Sequence, residues 1–169
     1  GHTLWFTPLG EAEVNTDVAE TLVKKSRYLE RDTVAHMKEH SLEVQVPFIQ
    51  FLKKDARIVP VVLSGYVDDP AWYEIGEIIA ETIDEKGLRE NTLIVASTDM
   101  THYEEQSIAE EKDNCAIEAI LALDEVLLID RIMEKNISMC GYGPVITAII
   151  AAKNIGAKEA ELVRYTTSG

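Results

Sequence analysis

Short, continuously apolar runs alternate along this chain with longer segments whose apolar residues recur every third or fourth position, a pattern that predicts strands interleaved with helices. Residues 57–63 (RIVPVVL) and 92–96 (TLIVA) are β-branched and apolar throughout, as strands buried on both faces of a parallel sheet are. Residues 161–165 (ELVRY) form a weaker third candidate. Helical spacing covers 16–25, 41–54 with Pro47 inside it, 70–85, 107–123, 125–135 and 144–154. Gly87 and Gly156 fall where a helix C-cap favours positive φ, and Pro70 and Pro144 near first-turn positions, where a missing N–H is harmless. No repeat, low-complexity tract or linker divides the sequence, so residues 1–169 read as a single α/β domain. The chain opens on Gly1-His2-Thr3 with no strand before it and stops just after a candidate strand. It therefore reads as a piece of a longer domain, with an N-terminal strand region and a C-terminal end missing.

Composition narrows the function. Sixteen Lys and Arg stand against 30 Asp and Glu, a formal charge of −14, and no basic run interrupts the acidic background. Affinity for a phosphate backbone or an anionic membrane surface comes from Lys and Arg, so neither nucleic acid nor membrane is expected as a partner. No apolar stretch approaches the roughly 18 residues of a spanning helix, and the first residues lack a signal pattern. Only Cys115 and Cys140 are present. Two cysteines are too few to staple a domain of this size, and free thiols in a reducing, cytoplasmic setting are the expectation.

Histidine is scarce, with His2, His36, His40 and His102 the four examples. His102 follows the TLIVA run through the polar cluster Ser97-Thr98-Asp99-Met100-Thr101, at a strand's carboxyl end, where ligands bind in open α/β sheets. Asp99 is close enough in sequence to orient the imidazole, or to share a metal or substrate with it. The plainer alternative is that Asp99 caps a turn and His102 is solvated. His36-Met37-Lys38-Glu39-His40 matches the H-x-x-E-H pattern of zinc peptidases, in which two histidines one helical turn apart hold zinc and the glutamate is the general base. Ser41, able to cap a following helix, argues for a change of direction there that would take the two histidines off one face. Cys140 lies in Met139-Cys140-Gly141-Tyr142-Gly143-Pro144, ahead of an apolar helix whose N-terminus favours negative charge. A thiolate there suits nucleophilic chemistry or a soft metal ligand for iron, copper or zinc. Cys115, among Ala116, Ile117 and Ala119, reads as a small core residue. The acidic residues between Glu104 and Glu111 read as a solvated helix face, and Trp72 and Tyr73 as packing anchors.

Three of these motifs occur together, in order, in one known family. Glu39-His40-Ser41-Leu42-Glu43-Val44-Gln45-Val46-Pro47-Phe48, Ser97-Thr98-Asp99-Met100-Thr101-His102-Tyr103 and Cys140-Gly141-Tyr142-Gly143-Pro144 together resemble the Memo family, whose microbial members are called AmmeMemoRadiSam system protein B. Trp5-Phe6-Thr7-Pro8-Leu9-Gly10 is similar to that family's W-x-T-P-L-G segment. The resemblance implies a three-layer α/β fold, a mainly parallel sheet flanked by helices, similar to the class III extradiol dioxygenases that hold non-haem iron(II). It implies a pocket where His40, His102 and Cys140 converge beside Asp99, with His40 and Cys140 as metal ligands and His102 as acid/base. The family's Gly-Pro-Asn-His-Thr motif supplies a further ligand, which here would be His2. Two histidines and a thiolate depart from the dioxygenases' two histidines and a carboxylate, and fold kinship does not transfer the reaction. The expectation is a metal-binding protein with oxidoreductase potential, iron(II) its metal and copper or zinc the alternatives, acting on an unidentified small molecule or peptide. In that mechanism His102 moves a proton and Asp99 orients it. A module that holds a peptide or small anion in the same pocket without turnover is the alternative from another class.

Overall fold

The computed structural model describes residues 4–37 and 39–167, and the chain folds as two compact units that meet in sequence between Ser64 and Gly65. The first unit begins with an antiparallel hairpin of β1 (Leu4–Thr7) and β2 (Gly10–Glu13), with Leu4 opposite Glu13 and Thr7 opposite Gly10. Gly10 closes the turn at φ 112°, a backbone state that glycine reaches without steric cost. Helix α1 (Thr16–Lys25) follows, and the Asn15 side chain caps it by accepting from the Val18 amide. The short helix α2 (Thr33–His36) is capped by Asp32, whose Oδ1 accepts from Val34 and Ala35. Helix α3 (Val46–Leu52) carries Pro47 in its first turn. Ala12, Leu22 and Val46 form the small core here. Gln50, also buried, ties α3 to the hairpin by accepting from the Thr7 hydroxyl and donating to the Glu11 carbonyl at 3.0 Å.

The second unit is helical: α4 (Ala71–Glu85), a 3-10 turn (Arg89–Asn91), α5 (Gln106–Leu121), α6 (Glu125–Lys135) and α7 (Tyr142–Asn154). Helix α4 packs along α7, and α6 touches both α5 and α7. The α4–α7 approach depends on Gly76, where a Cβ would stand 2.8 Å from the Ile150 Cβ. Trp72, 2% exposed, fills the space beside Gly143 and donates its indole N–H to the Tyr66 carbonyl at 3.0 Å, so its polar atom is satisfied as its ring is buried. Ala116 and Ala119 of α5 and Leu128 of α6 are fully buried. Among the described residues no helix is long and apolar enough to cross a membrane.

Helices α1 and α6 occupy the predicted spans, α4, α5 and α7 lie within two residues of theirs, and Gly87 and Gly156 have positive φ, 63° and 100°. The helix expected over 41–54 is shorter: 41–45 is a turn, and the helix begins at Val46 because Pro47 is tolerated in a first turn but not in an interior. The expected strands differ more. Segment 57–63 makes a single parallel bridge, Val14 with Ile58, and 92–96 and 161–165 have no ladder. A β-strand exists only through hydrogen bonds to its neighbour, and apart from that bridge these segments form no ladder among the described residues. The architecture is mixed α/β, with seven α-helices and one two-stranded sheet among the described residues.

Candidate metal centre

The site is assembled in the second unit from two non-helical segments. After α6, Asn136 adopts a left-handed conformation (φ 50°) and ends the helix. From there burial alternates: Ile137, Met139 and Gly141 are buried, whereas Ser138 and Cys140 are exposed. This is the period-two pattern of extended chain, and it turns Ser138 and Cys140 to one side. Gly141 then caps α7, and it must be glycine-sized, since a Cβ would lie 2.5 Å from both the Ser97 carbonyl oxygen and the Thr98 Cβ.

The facing segment is 97–102, which the left-handed Tyr103 (φ 57°) turns towards α5. Hydrogen bonds lace the two segments rung by rung. The Gly141 amide donates to Thr98 Oγ1 at 2.8 Å, the Cys140 amide to the Asp99 carbonyl at 3.3 Å, and the His102 amide to Ser138 Oγ at 2.7 Å. The Asp99 amide donates to Cys140 Sγ at 3.2 Å, making the sulfur an acceptor. His102 Nδ1 lies 2.8 Å from the Ser138 carbonyl, which can only accept, so Nδ1 carries a proton and, in the neutral ring, Nε2 is the nitrogen with the lone pair. That Nε2 is 3.7 Å from Asp99 Oδ2.

Asp99, His102 and Cys140 each present one ligand atom, and these atoms all lie within 4.8 Å of one another. Donors about 2.0–2.3 Å from a tetrahedral metal stand roughly 3.3–3.8 Å apart, so the set needs only a small contraction to close on an ion. A thiol, an imidazole nitrogen and a carboxylate oxygen converging on one point, with the far ring nitrogen hydrogen-bonded to a carbonyl, is the donor chemistry and outer support of a metal site. The cluster is open to solvent: the Asp99 side chain is 86% exposed and that of His102 31%.

Comparison with known proteins identifies the family. The model of the Memo-like protein family matches residues 2–169. This chain belongs to the Memo family. It is 44% identical over 166 residues to a MEMO1 family protein of Methanopyrus kandleri, which covers 98% of the chain and 58% of that relative. It is 44% identical over 165 residues to one of Methanothermobacter thermautotrophicus, with 98% and 58% covered, and 42% identical over 168 residues to one of Thermotoga neapolitana, with 98% and 57% covered. The chain thus spans a little over half the length of these curated relatives. No solved structure matches it significantly.

Of the Memo motif residues, Asp99, His102 and Cys140 come together. His40 belongs to the first unit, where it is exposed just beyond α2. His36 closes α2 and sets its ring edge-on to Trp5, with centroids 5.9 Å apart. Because the helix ends at His36, it does not carry both histidines, and the H-x-x-E-H arrangement on one helix is not formed. Glu39 is engaged too: hydrogen bonding from Ser41 holds its carboxyl below the usual range. His2 lies outside the described residues. Trp72 is the packing anchor expected of it. Sequence reasoning passed over Ser138, whose signal was the Ile-Ser-Met-Cys alternation ahead of Gly141.

Proposed function

We propose that this Memo family chain carries a metal-dependent oxidoreductase centre, with iron(II) as its metal and copper or zinc as competitors. The convergence of Cys140, His102 and Asp99 within 4.8 Å is the observation that supports it. Thiolate and imidazole donors together suit iron, copper and zinc, and they disfavour magnesium or calcium. His40 and His2, ligands by family resemblance, belong to the same proposal. So does a sheet in the whole protein: segments 57–63 and 92–96 would be strands of a three-layer, mainly parallel fold of the extradiol dioxygenase kind.

Iron(II) or copper, when bound, would supply one-electron chemistry towards O₂. The chain's own residues hold and orient. The Ser138 carbonyl fixes the His102 tautomer, and the Asp99 amide directs Cys140 Sγ by donating to it. Asp99 and Cys140 are both exposed, so the cluster's solvent side is open to a small substrate.

The test is metal content of protein purified without chelator, for the wild type, Cys140→Ala, His102→Ala and His40→Ala, with circular dichroism to confirm folding. Loss of iron in Cys140→Ala and His102→Ala is expected. A full complement in both would remove them from the coordination shell and end the proposal. If only His102→Ala retains metal, His102 is the acid/base and not a ligand. Oxygen uptake by iron-loaded protein with a reductant, lost in Cys140→Ala, tests the redox half.

A further inference from the structure

One carboxylate in the second unit is buried where an apolar residue would pack more simply. Asp113 is 3% exposed and lies on the inward stripe of α5 with Ala109 and Ala116. Burying a carboxylate is costly unless hydrogen bonds replace its water. Each of its oxygens has such a bond. Oδ1 accepts from the Thr101 amide at 2.9 Å, and Oδ2 from the Tyr165 hydroxyl at 2.8 Å.

Both partners matter for the cluster. Thr101 sits between Asp99 and His102, so Asp113 grips the backbone of the segment that carries two of the three donors. Ser138 grips the same segment one residue on, at the His102 amide and ring. The direction of the His102 ring follows from its backbone, which is thus held from α5 on one side and from the 137–141 segment on the other. Tyr165 holds the second Asp113 oxygen, which fixes the rotation of the carboxylate that meets Thr101.

We propose that Asp113 and Tyr165 are positioning residues for the Asp99–His102–Cys140 cluster, setting the orientation of His102 and through it the affinity for a metal ion. This rests on the metal-centre reading, and two readouts keep the two claims apart. Co(II) binding, followed by its visible bands and thiolate charge-transfer absorption, reports the metal site. The ¹⁵N shifts of the His102 ring in metal-free protein report ring geometry without any metal.

Tyr165→Phe, the mild variant, is expected to move the His102 Nδ1 signal and to weaken Co(II) binding about tenfold. Asp113→Asn is expected to weaken it by roughly 10- to 100-fold, the range seen when outer partners of metal ligands are lost. The double variant should lose less than the product of the two, because the residues act through one contact. Wild-type ring shifts and Co(II) affinity in Tyr165→Phe, with only a lower melting temperature, would reduce the pair to a structural buttress and overturn the proposal. If the wild type gives no Co(II) bands, the metal reading falls. The ring shift in Tyr165→Phe then decides positioning by itself: a moved signal sustains it and an unmoved one ends it.

Discussion

The imidazole of His102 and the carbonyl of Ser138, 36 residues apart in the chain, meet at 2.8 Å, and this contact decides which ring nitrogen looks into the cluster. The same serine accepts the His102 amide through its hydroxyl at 2.7 Å. The two bonds are separable by mutation. Ser138→Ala removes only the hydroxyl and leaves the His102 N–H without that acceptor. A loss of about 1–2 kcal/mol in urea unfolding is expected, with the His102 tautomer unchanged by ¹⁵N NMR. A switch of the ring proton to Nε2 would mean that the hydroxyl, not the carbonyl, sets the tautomer.

Gly141→Ala tests the lacing from the other side. The added Cβ would meet the Ser97 carbonyl oxygen and Thr98 Cβ at 2.5 Å, and backbone on one side cannot rotate away. Forced apart, the segments should lose about 1–3 kcal/mol of stability. The Asp99–Cys140 contact should loosen with them, read as faster alkylation of Cys140 by iodoacetamide. Wild-type stability would show that the close approach is not required.

Tyr165 has an alkaline signature. Burial, and then its hydrogen bond to Asp113, push the phenol from an ordinary value of 10 up to about 12. The folded state therefore keeps a proton that the unfolded state releases, so this contribution to stability is complete below pH 10 and is lost as pH rises towards 12. Unfolding free energies of wild type and Tyr165→Phe, compared from pH 8 to 12, should show a gap that is constant to pH 10 and then shrinks. A gap that stays constant throughout would mean the phenol titrates alike in both states.

Asp124 caps α6, accepting from the Leu127 amide at 2.9 Å. Asp124→Ala should cost about 1 kcal/mol, the usual value of an N-cap, and Asp124→Ser should restore most of it. Thermal unfolding checks both. No loss in the alanine variant would mean that another group takes over the amide.

Helices were legible wherever caps and spacing agreed. Asp124 and the left-handed Asn136 bracket α6, and the pattern between them leaves little choice. Strands were not, because an apolar run states that a segment avoids water but not which neighbour takes its backbone bonds, and segments 57–63 and 92–96 illustrate the gap. The β1–β2 hairpin escaped for the opposite reason. Its strands are only four residues long, and their half-buried alternation through Trp5 and Thr7 gives a weak signal. At the site, strand-end logic singled out Asp99 and His102, and the glycines marked Cys140. That residues so far apart in sequence share one place was visible only through family resemblance. Asp113 was hidden among the acidic residues of α5, although its spacing from Ala109 and Ala116 put it on the buried stripe.

Asp99 and Cys140 are separated by 41 positions, so an ion gripped by both would tie off a long loop that an unfolded chain leaves free. Any such ion discriminates between the two states by mass action. At about a hundred times its dissociation constant it would add roughly 2.7 kcal/mol to the folded form. A thermal-shift screen of metal salts thereby doubles as a ranking of which ion this protein prefers.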